Sequence, residues 1–575
     1  MRATLLVFGA VAVLASAGCS GVPSSSRPEF VKSVGGGSPP PLPTSTPEAG
    51  ADPASIVAGF LAANVNPLDA KHSTARQFLA PEQSAKWDDS TATVVDSYQV
   101  GSMNAATRTV PVSVVKIGML TRQGVYAPVP GSPGGTASEA VTLSFVMKLV
   151  NGQWRIQVPG QGLIVRATEL ASSGSSAYKL RSLYFLDSAG RHLVADPRYT
   201  ALTGPALAKW LLERLQEGPQ QTLSNAVQKL PEQINLKAAE VTERSGVGIE
   251  LPGSGQLDPD ARTRLASQLA NTFAQSAQPA PITITDGGRP VTYDKDHLLA
   301  AAGTLNNPPA FYILDGSLRQ QNGDPVDGPL GLKTYGLTSA ALALSPDGSG
   351  NFLVAGVTKA GGASTLLVGT LKGGLRKAGI PPGELTRPSW APDQSEVWVG
   401  RGSTLYRVAR AARPVAVPIN LGPGSAAQIR AVRVSPDGAR LVLVLAADQG
   451  PASAYVGTVA RQGASVRVEA LAPITPSNVD LTDIDWNDQT TLYAIGVGPS
   501  GYGVWSVQAD GAAWTERNRQ GLPAAPQTIA AAPGAVAWVS SNGGVFKQDG
   551  PNQTWVSPFQ PLNATVVGRS PTYLE

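Results

Sequence analysis

Few side chains in this sequence of 575 residues could act as a nucleophile, a proton carrier or a metal ligand. Cysteine occurs once, at Cys19, and histidine occurs at His72, His192 and His297, in three separate segments. Zinc sites draw on cysteine, histidine and carboxylate ligands, and histidine is the commonest acid–base catalyst. Because cysteine and histidine are so few and so far apart in the sequence, we predict no metal site, no cofactor and no catalytic residue. We expect His72 to be a solvated loop residue.

Two short motifs match known signatures but lack the context that those signatures need. Ser176-Ala-Tyr-Lys179 spells the S-x-x-K of penicillin-binding enzymes, but the S-D-N and K-T-G partners are missing. Gly496-Val-Gly-Pro-Ser-Gly501 spells the G-x-G-x-x-G of dinucleotide sites, which should open a helix. The following Tyr502-Gly-Val-Trp-Ser-Val507 has the pattern of a strand instead. We interpret the first match as chance and the second as a loop between strands.

Three aspartates, Asp347, Asp393 and Asp437, could be taken for a carboxylate set. Each follows a proline, and they are spaced 46 and 44 residues apart. That spacing puts them at the same turn of successive repeats, where an aspartate side chain caps the turn. We therefore predict a structural role for all three.

Cys19 ends a short apolar leader. Arg2 supplies a positive start, and residues 4–17 carry no charge over a length too short to span a bilayer. Leu14-Ala-Ser-Ala-Gly-Cys19 resembles a bacterial lipobox, in which the cysteine is lipidated, although Ser16 stands where Leu, Val or Ile is usual. Ordinary signal-peptidase cleavage after Ala17 stays open as an alternative. We predict a signal peptide over 1–18, acylation of Cys19 with palmitate-type chains, and a lipid anchor on the outer face of the cell membrane.

Composition constrains the remaining chain. Residues 19–50 are rich in Pro, Gly and Ser and hold too little apolar surface to fold, which predicts a disordered tether. A single cysteine means that no disulfide within the chain can support the folded domains. The net charge is only +4, and no dense Lys/Arg run is interleaved with aromatic residues, which argues against nucleic-acid binding.

Residues 51–170 are predicted to form an α+β domain. Asp52-Pro53 is typical of a helix start, and a second helix is expected near Ala75 to Leu79. Period-two alternation then predicts several strands, with Asn151-Gly152 as a hairpin turn between the last two. The order of helices and strands resembles the NTF2-like fold.

Residues 180–300 are predicted to form a second α+β domain. A strand opens at Leu183-Tyr-Phe185, an amphipathic helix ends at Gly218-Pro219, and Ile282-Thr-Ile-Thr-Asp-Gly287 supplies a final strand and turn. This order resembles the GerMN module of bacterial envelope proteins over about 110 residues. The resemblance implies an extracytoplasmic interaction domain.

Residues 310–575 are predicted to form an all-β propeller. A turn motif of the type Ser-Pro-Asp-Gly recurs, each time followed by an apolar strand. Periods of about 40 to 50 residues are typical of propeller blades. A further blade could combine Phe311-Tyr-Ile-Leu-Asp-Gly316 with Val566-Val567, so we predict five or six blades. The equivalent turn positions lie 46, 44, 51 and 46 residues apart, at Pro346, Pro392, Pro436, Asn487 and Pro533.

Leader, tether, NTF2-like domain, GerMN-like domain and propeller together resemble the actinobacterial LpqB lipoprotein family over essentially the whole chain. The resemblance implies a non-enzymatic accessory protein. It would bind the extracytoplasmic domain of an MtrB-like sensor histidine kinase and modulate MtrAB-type signalling in cell-wall homeostasis and cell division.

Two alternative functions stay open. One is a propeller hydrolase acting on an envelope component, with converging carboxylates, histidine or metal ligands at the channel mouth. The other is a protein that binds cell-wall glycan such as peptidoglycan through exposed aromatic residues. Trp398 and Trp538 lie inside apolar strand runs, so we predict that these two are blade core instead.

Overall fold

The computed structural model describes most of the chain from residue 46 onward. Within the described residues no helix combines the length and the apolar character needed to cross a bilayer. The described ranges are 46–66, 69, 71–130, 137–160, 162–171, 177–235, 240–242, 247–275, 282–301, 308–409, 413–419, 427–447, 450–463, 465–558 and 568–575.

The N-terminal domain begins with three helices, α1 to α3. Asp52 caps α1 by accepting hydrogen bonds from the backbone N–H groups of Ala54 and Ser55, as the Asp-Pro pair predicts. Phe60 on α1 packs against Trp87 and Phe145, with ring centroids 5.0 and 6.2 Å away. The helices therefore cover one face of the sheet that follows. They span Pro53–Ala63, Ser73–Arg76 and Pro81–Ser84.

The sheet of this domain has six strands in the order β5-β4-β2-β1-β6, with β3 paired to β2. Asn151 and Gly152 both have positive φ, 51° and 75°, in the turn between β4 and β5. Both central residues of a type I′ hairpin turn need positive φ, so the predicted turn is confirmed. The strands are Ala92–Val100, Thr109–Leu120, Tyr126–Pro128, Glu139–Val150, Gln153–Val158 and Leu163–Arg166.

The second domain contains two small sheets and two long helices, α4 and α5. Helix α4 ends at Gly218, whose φ of 84° suits glycine, directly before Pro219. Strands β7 to β9 form one sheet, and β10 to β13 form the other. The helices span Gly204–Glu217 and Pro259–Phe273. The strands are Leu170–Ala171, Tyr178–Leu186, Leu193–Thr200, Glu240–Thr242, Val247–Glu250, Ile282–Asp286 and Arg289–Pro290.

The C-terminal region is a propeller of six blades, which agrees with the upper number that the repeats predict. Five blades are four-stranded antiparallel sheets of consecutive strands, named the first to fifth blades in chain order. Their strands, β16 to β35, are Leu337–Leu344, Phe352–Ala360, Ala363–Thr370 and Gly374–Lys377; Ser389–Trp390, Glu396–Arg401, Thr404–Ala409 and Val415–Val417; Gln428–Val434, Arg440–Ala446, Ser453–Gln462 and Ser465–Pro473; Asp480–Trp486, Thr491–Gly498, Gly501–Gln508 and Thr515–Glu516; Pro526–Ala530, Trp538–Ser541, Gly544–Asp549 and Thr554–Val556.

The sixth blade, named the closing blade, joins the two ends of the propeller sequence. Ala310–Leu314 (β14) pairs on one side with Ser317–Gln320 (β15) and on the other with Arg569–Tyr573 (β36). The partner strand is therefore β36, while Val566 and Val567 lie outside the described residues. Strand β36 contacts β16 and β32, the inner strands of the first and fifth blades, so the ring is closed.

The propeller packs against both α+β domains, and the described residues form one compact unit. Ala512 from the fourth blade belongs to the hydrophobic core of the N-terminal domain. Ala439 from the third blade belongs to the core of the second domain. These shared cores hold the three domains in contact.

Candidate functional site

A cavity of about 260 Å³ lies at the centre of the propeller. All six blades contribute to its wall near the ends of their inner strands, so the cavity lies on the axis of the ring. The second domain contributes His192 at the rim. The lining residues include Leu344, Trp390, Ser435, Asp485, Ala532 and Tyr573, one from each blade in chain order, together with Glu575.

Part of the cavity wall is aromatic and apolar. Trp390, Trp486 and Tyr573 all line it and are otherwise buried. Each tryptophan indole is fixed by a hydrogen bond to the main chain of the preceding blade, Trp390 to Ala341 at 3.2 Å and Trp486 to Arg433 at 3.1 Å. The aromatic wall is therefore built from side chains with fixed positions.

Next to the cavity, buried charges link the inner strands of the third and fourth blades. Arg433 Nη2 donates to Asp483 Oδ1 at 3.0 Å, and Arg433 Nε lies 3.6 Å from Asp485 Oδ1. The Arg433 side chain is only 2% exposed. Asp483 also accepts a hydrogen bond from the main-chain N–H of Ile529 in the fifth blade. A buried charge needs such partners, because removal from water is costly.

Arg387 extends the network to the second and closing blades. Its Nη2 donates to Asp485 Oδ2 at 2.8 Å, and its Nη1 donates to the main-chain oxygen of Pro571 at 2.6 Å. Asp485 thus contacts two guanidinium groups. Burial raises the pKa of Asp485, and the charges of Arg387 and Arg433 oppose that rise.

Glu575 completes the network at the cavity. Its Oε2 accepts hydrogen bonds from the Trp390 main-chain N–H and from Ser389 Oγ, the second at 3.3 Å. Its own N–H donates to the Leu342 oxygen in the first blade at 2.8 Å. Glu575 is exposed as a residue and lines the cavity. Burial, reinforced by the charge of Asp485, raises the pKa of Glu575 to about 8.

A second polar cluster joins the propeller to the second domain. Arg440 in the third blade pairs with Asp437 at 3.2 Å and donates from Nη2 to the Ala195 main-chain oxygen at 2.5 Å. Arg191 on the second domain pairs with Asp393 at 3.0 Å. These contacts fix the second domain beside the mouth of the cavity.

A half-buried carboxyl group lies where the fourth blade meets the two α+β domains. Asp510 accepts a hydrogen bond from the Ala512 N–H at 2.9 Å, and Ala512 packs in the N-terminal core. Burial raises the pKa of Asp510 to about 6. Burial and the Asp510 charge also raise the pKa of Tyr199 well above its ordinary value. This junction therefore contains a carboxyl group that lacks a compensating ion pair among the described residues.

The predicted lipidation site, Cys19, lies outside the described residues, as does Ser176 of the S-x-x-K tetrad. The glycine-rich stretch Gly496 to Gly501 connects two strands of the fourth blade, as its sequence context predicts. The aspartates of the repeat cap their turns by accepting from the N–H two residues on, at 3.0 to 3.1 Å. These three are Asp347, Asp393 and Asp437.

The three histidines remain in separate places. His72 lies in a loop as expected, but the expectation that it is solvated is wrong. Its side chain is only 14% exposed, and its Nδ1 lies 3.0 Å from Asp89, which also pairs with Arg76. His192 pairs with Asp187 at 3.2 Å, and the more exposed His297 pairs with Asp294 at 2.7 Å. Over the part of the chain that the structure describes, no three His, Cys, Asp or Glu side chains are grouped as metal ligands would be.

No sequence motif predicts the charged network beside the cavity. Arg387, Arg433, Asp485 and Glu575 come from four different blades, and no spacing along the sequence relates them. The sequence offers one indirect indication of the network. Charged residues occur inside or next to strands whose other residues are typical of a buried core, such as Arg433 in Gln428–Val434.

Three family models match successive parts of the chain. The N-terminal domain of lipoprotein LpqB matches residues 46–171, and the LpqB beta-propeller domain matches residues 316–568. Between them, a domain described as "Sporulation and spore germination" (Germane, the GerMN type) matches residues 182–292.

Curated relatives named Lipoprotein LpqB match the chain as a whole. The protein of Rhodococcus jostii is 30% identical over 479 residues, which cover 76% of this chain and 77% of the relative. The protein of Nocardia farcinica is 29% identical and covers 95% and 93%. Among solved structures, a gluconolactonase of Xanthomonas campestris is 13% identical with a TM-score of 0.30, covering 48% of this chain and 88% of that one. A likeness so low says nothing about activity.

Proposed function

Because the chain belongs to the LpqB lipoprotein family, we propose that it is a membrane-anchored accessory protein that acts by binding. Its anchor is an acylated Cys19 on the outer face of the membrane. Its partner is the extracytoplasmic domain of an MtrB-like sensor histidine kinase. By binding one signalling state more tightly than the other, it shifts MtrAB-type signalling in cell-wall homeostasis and division.

The observation that best supports a binding role is the fixed junction between domains. Arg440 and Asp437 are both buried and connect the propeller to Ala195 of the second domain. A rigid surface loses little conformational freedom on binding, which favours affinity. Tethering confines the protein to a thin layer beside the membrane, so a weak contact is sufficient.

Within the described residues, the carboxyl groups at the cavity also suit a structural role better than catalysis. Asp485 is held by two arginines, and Glu575 is held by Trp390 and Ser389. A general base must be free to reach its substrate. Asp485 is engaged with neighbouring blades through both oxygens and is not free in this sense, and we propose that the protein is not an enzyme.

The glycan-binding alternative needs a groove of exposed aromatic residues. The tryptophans of the propeller strands, Trp390, Trp398, Trp486, Trp505, Trp538 and Trp555, are all buried in the blades. The prediction that Trp398 and Trp538 are blade core is confirmed. We therefore rank peptidoglycan binding below kinase binding.

The test uses membranes that contain the full-length kinase and its response regulator. Adding the acylated protein should change the phosphorylation level of the regulator. The Cys19→Ala variant should need a much higher concentration for the same effect, because it lacks the tether. No effect of either protein, together with no binding to the purified external domain, would contradict the proposal. Turnover of an envelope component would favour the hydrolase instead.

A further inference from the structure

We infer that the cavity on the propeller axis is a binding site for a small ligand that carries a primary ammonium group. The site lies among the inner strands of the blades, with His192 of the second domain at its rim. Its volume, about 260 Å³, is just below the range of roughly 300–1,000 Å³ that is common for small-molecule sites.

The walls have the composition of a ligand site. Apolar and aromatic surface from Trp390, Trp486 and Tyr573 is combined with a few polar groups, among them Gln394 and Glu575. Such a pocket excludes water from an apolar ligand while the polar groups fix its orientation. Aromatic faces also attract cations when water is excluded.

When Glu575 is ionised, above its pKa of about 8, the charges at and beside the cavity do not balance. Three carboxyl groups, of Asp483, Asp485 and Glu575, accompany two guanidinium groups, of Arg387 and Arg433. Both arginines are already paired with the two aspartates. Among the described residues, no cation lies within ion-pair distance of Glu575.

Glu575 is the group that would receive the ligand. One oxygen, Oε2, accepts from Trp390 and Ser389, whereas Oε1 has no hydrogen-bond partner in the described part of the chain. An ammonium group brings both the missing positive charge and N–H donors for Oε1. A neutral or anionic ligand of the same shape would leave the carboxylate uncompensated, so the site should discriminate by charge.

The test measures binding of three matched probes to the full chain in a neutral detergent by calorimetry. The probes are 2-phenylethylamine, 2-phenylethanol and 3-phenylpropionate, which share a ring and differ in charge. We expect the amine to bind at least tenfold more tightly than the other two. Equal binding of all three probes would show that the cavity does not select for charge and would overturn the inference. No binding of the amine at millimolar concentration would also overturn it.

Two variants assign the effect to Glu575. Glu575→Gln keeps the shape and an acceptor for Trp390, and should remove the preference for the amine. Glu516→Gln, on the exposed outer strand of the fourth blade, should behave as wild type. Melting temperature reports whether each variant is folded. A folded Glu575→Gln protein that still prefers the amine would contradict the assignment.

The pH profile of the unmodified protein provides a readout that does not depend on any variant folding. Because the pKa of Glu575 is raised to about 8, a proton competes with the ligand below that pH. An alkyl ammonium keeps its charge in this range, as lysine does. Amine affinity should therefore rise by up to tenfold per unit from pH 6 to pH 8 and then level off.

Other titratable groups lie at the cavity or beside it and need a control. Asp483 and Asp485 are paired with Arg433 and Arg387, and His192 lies at the rim beside Asp187. His192→Gln should preserve the rise in affinity. If that variant loses the rise and Glu575→Gln keeps it, the carboxylate is not the receiving group and the inference is wrong.

Discussion

Arg433 Nη2 donates to Asp483 Oδ1 at 3.0 Å across the boundary between the third and fourth blades, and both side chains are almost fully buried. The same guanidinium approaches Asp485 at 3.6 Å. One arginine thus compensates two carboxylates on the inner strand of the next blade. Burial, with the nearby Arg387 charge, lowers the pKa of Arg433. The ion pair of Arg433 and Asp483 therefore links the third and fourth blades inside the propeller.

Replacing Arg433 with alanine should strongly destabilise the propeller. Loss of one partner leaves buried carboxylates without compensation, which typically costs about 3–5 kcal/mol. Chemical denaturation measures the change in the free energy of unfolding. Arg430→Ala is the control on the same strand: its partner Asp480 is 3.5 Å away and both side chains are half exposed, so little change is expected. Equal effects of the two variants would contradict the role of Arg433.

Deleting residues 569–575 should prevent stable closure of the propeller. The deletion removes strand β36, which leaves one edge of β14 unpaired and takes a packing neighbour from the inner strands of the first and fifth blades. Unpaired strand edges promote aggregation. Thermal melting and light scattering measure the outcome. Removing residues 1–44, which lie outside the compact unit, is the control and should leave the melting transition in place. A truncated propeller with an unchanged transition would argue against closure.

Asp510→Asn should stabilise the protein at neutral pH. The pKa of Asp510 is raised from 3.8 to about 6, so the folded state binds a proton more tightly than the unfolded state. The free energy of unfolding therefore falls as pH rises from about 4 to 6 and stays low above 6. Asparagine is neutral and can still accept from Ala512, so we expect a gain of about 1–3 kcal/mol at pH 7.5.

The pH dependence distinguishes this gain from a general change in packing. The advantage of Asp510→Asn should disappear near pH 4, where the aspartate is itself protonated. Asp549→Asn, at an exposed end of a strand in the fifth blade, should give no gain at either pH. A constant difference between wild type and Asp510→Asn from pH 4 to 8 would show that the charge of Asp510 is not the cause.

Cys19→Ala should move the protein from the detergent phase to the aqueous phase in phase partitioning. The reason is that acyl chains on Cys19 are the proposed membrane attachment, and each buried CH₂ contributes about 0.8 kcal/mol. Intact mass should also show acylation of Cys19 at the mature N-terminus. Ser20→Ala is the matched control and should partition as wild type does. Unchanged partitioning of Cys19→Ala, or cleavage after Ala17, would contradict lipidation.

Local features of the fold were readable from the sequence because their causes are local. Asp52-Pro53 starts a helix, Asn151-Gly152 forms a hairpin turn and Gly218-Pro219 ends a helix, each through the conformational preference of the residues themselves. The aspartates after Pro346, Pro392 and Pro436 cap their turns for the same reason.

The candidate site was not readable because it depends on contacts between distant residues. Arg387 meets Asp485 and Pro571 only once the ring has closed, and Glu575 meets Trp390 in the same way. His72 shows the same limit on a smaller scale, since its burial depends on Asp89 and on packing near Trp87. Side-chain type alone does not reveal such partners.

The position of β36 has a consequence for the order in which the protein can fold. Its partner β14 is the first strand of the propeller sequence, so the pairing that completes the ring joins residues from opposite ends of that sequence. Closing so long a segment is entropically slow compared with forming hairpins within a blade. Blades can therefore form one after another while the chain is being synthesised. Arg387 can make its hydrogen bond to Pro571 only after residues 569–573 have been added to the chain. A chain that ends before residue 569 would lack a closed propeller and would therefore be degraded by proteases instead of keeping part of its function.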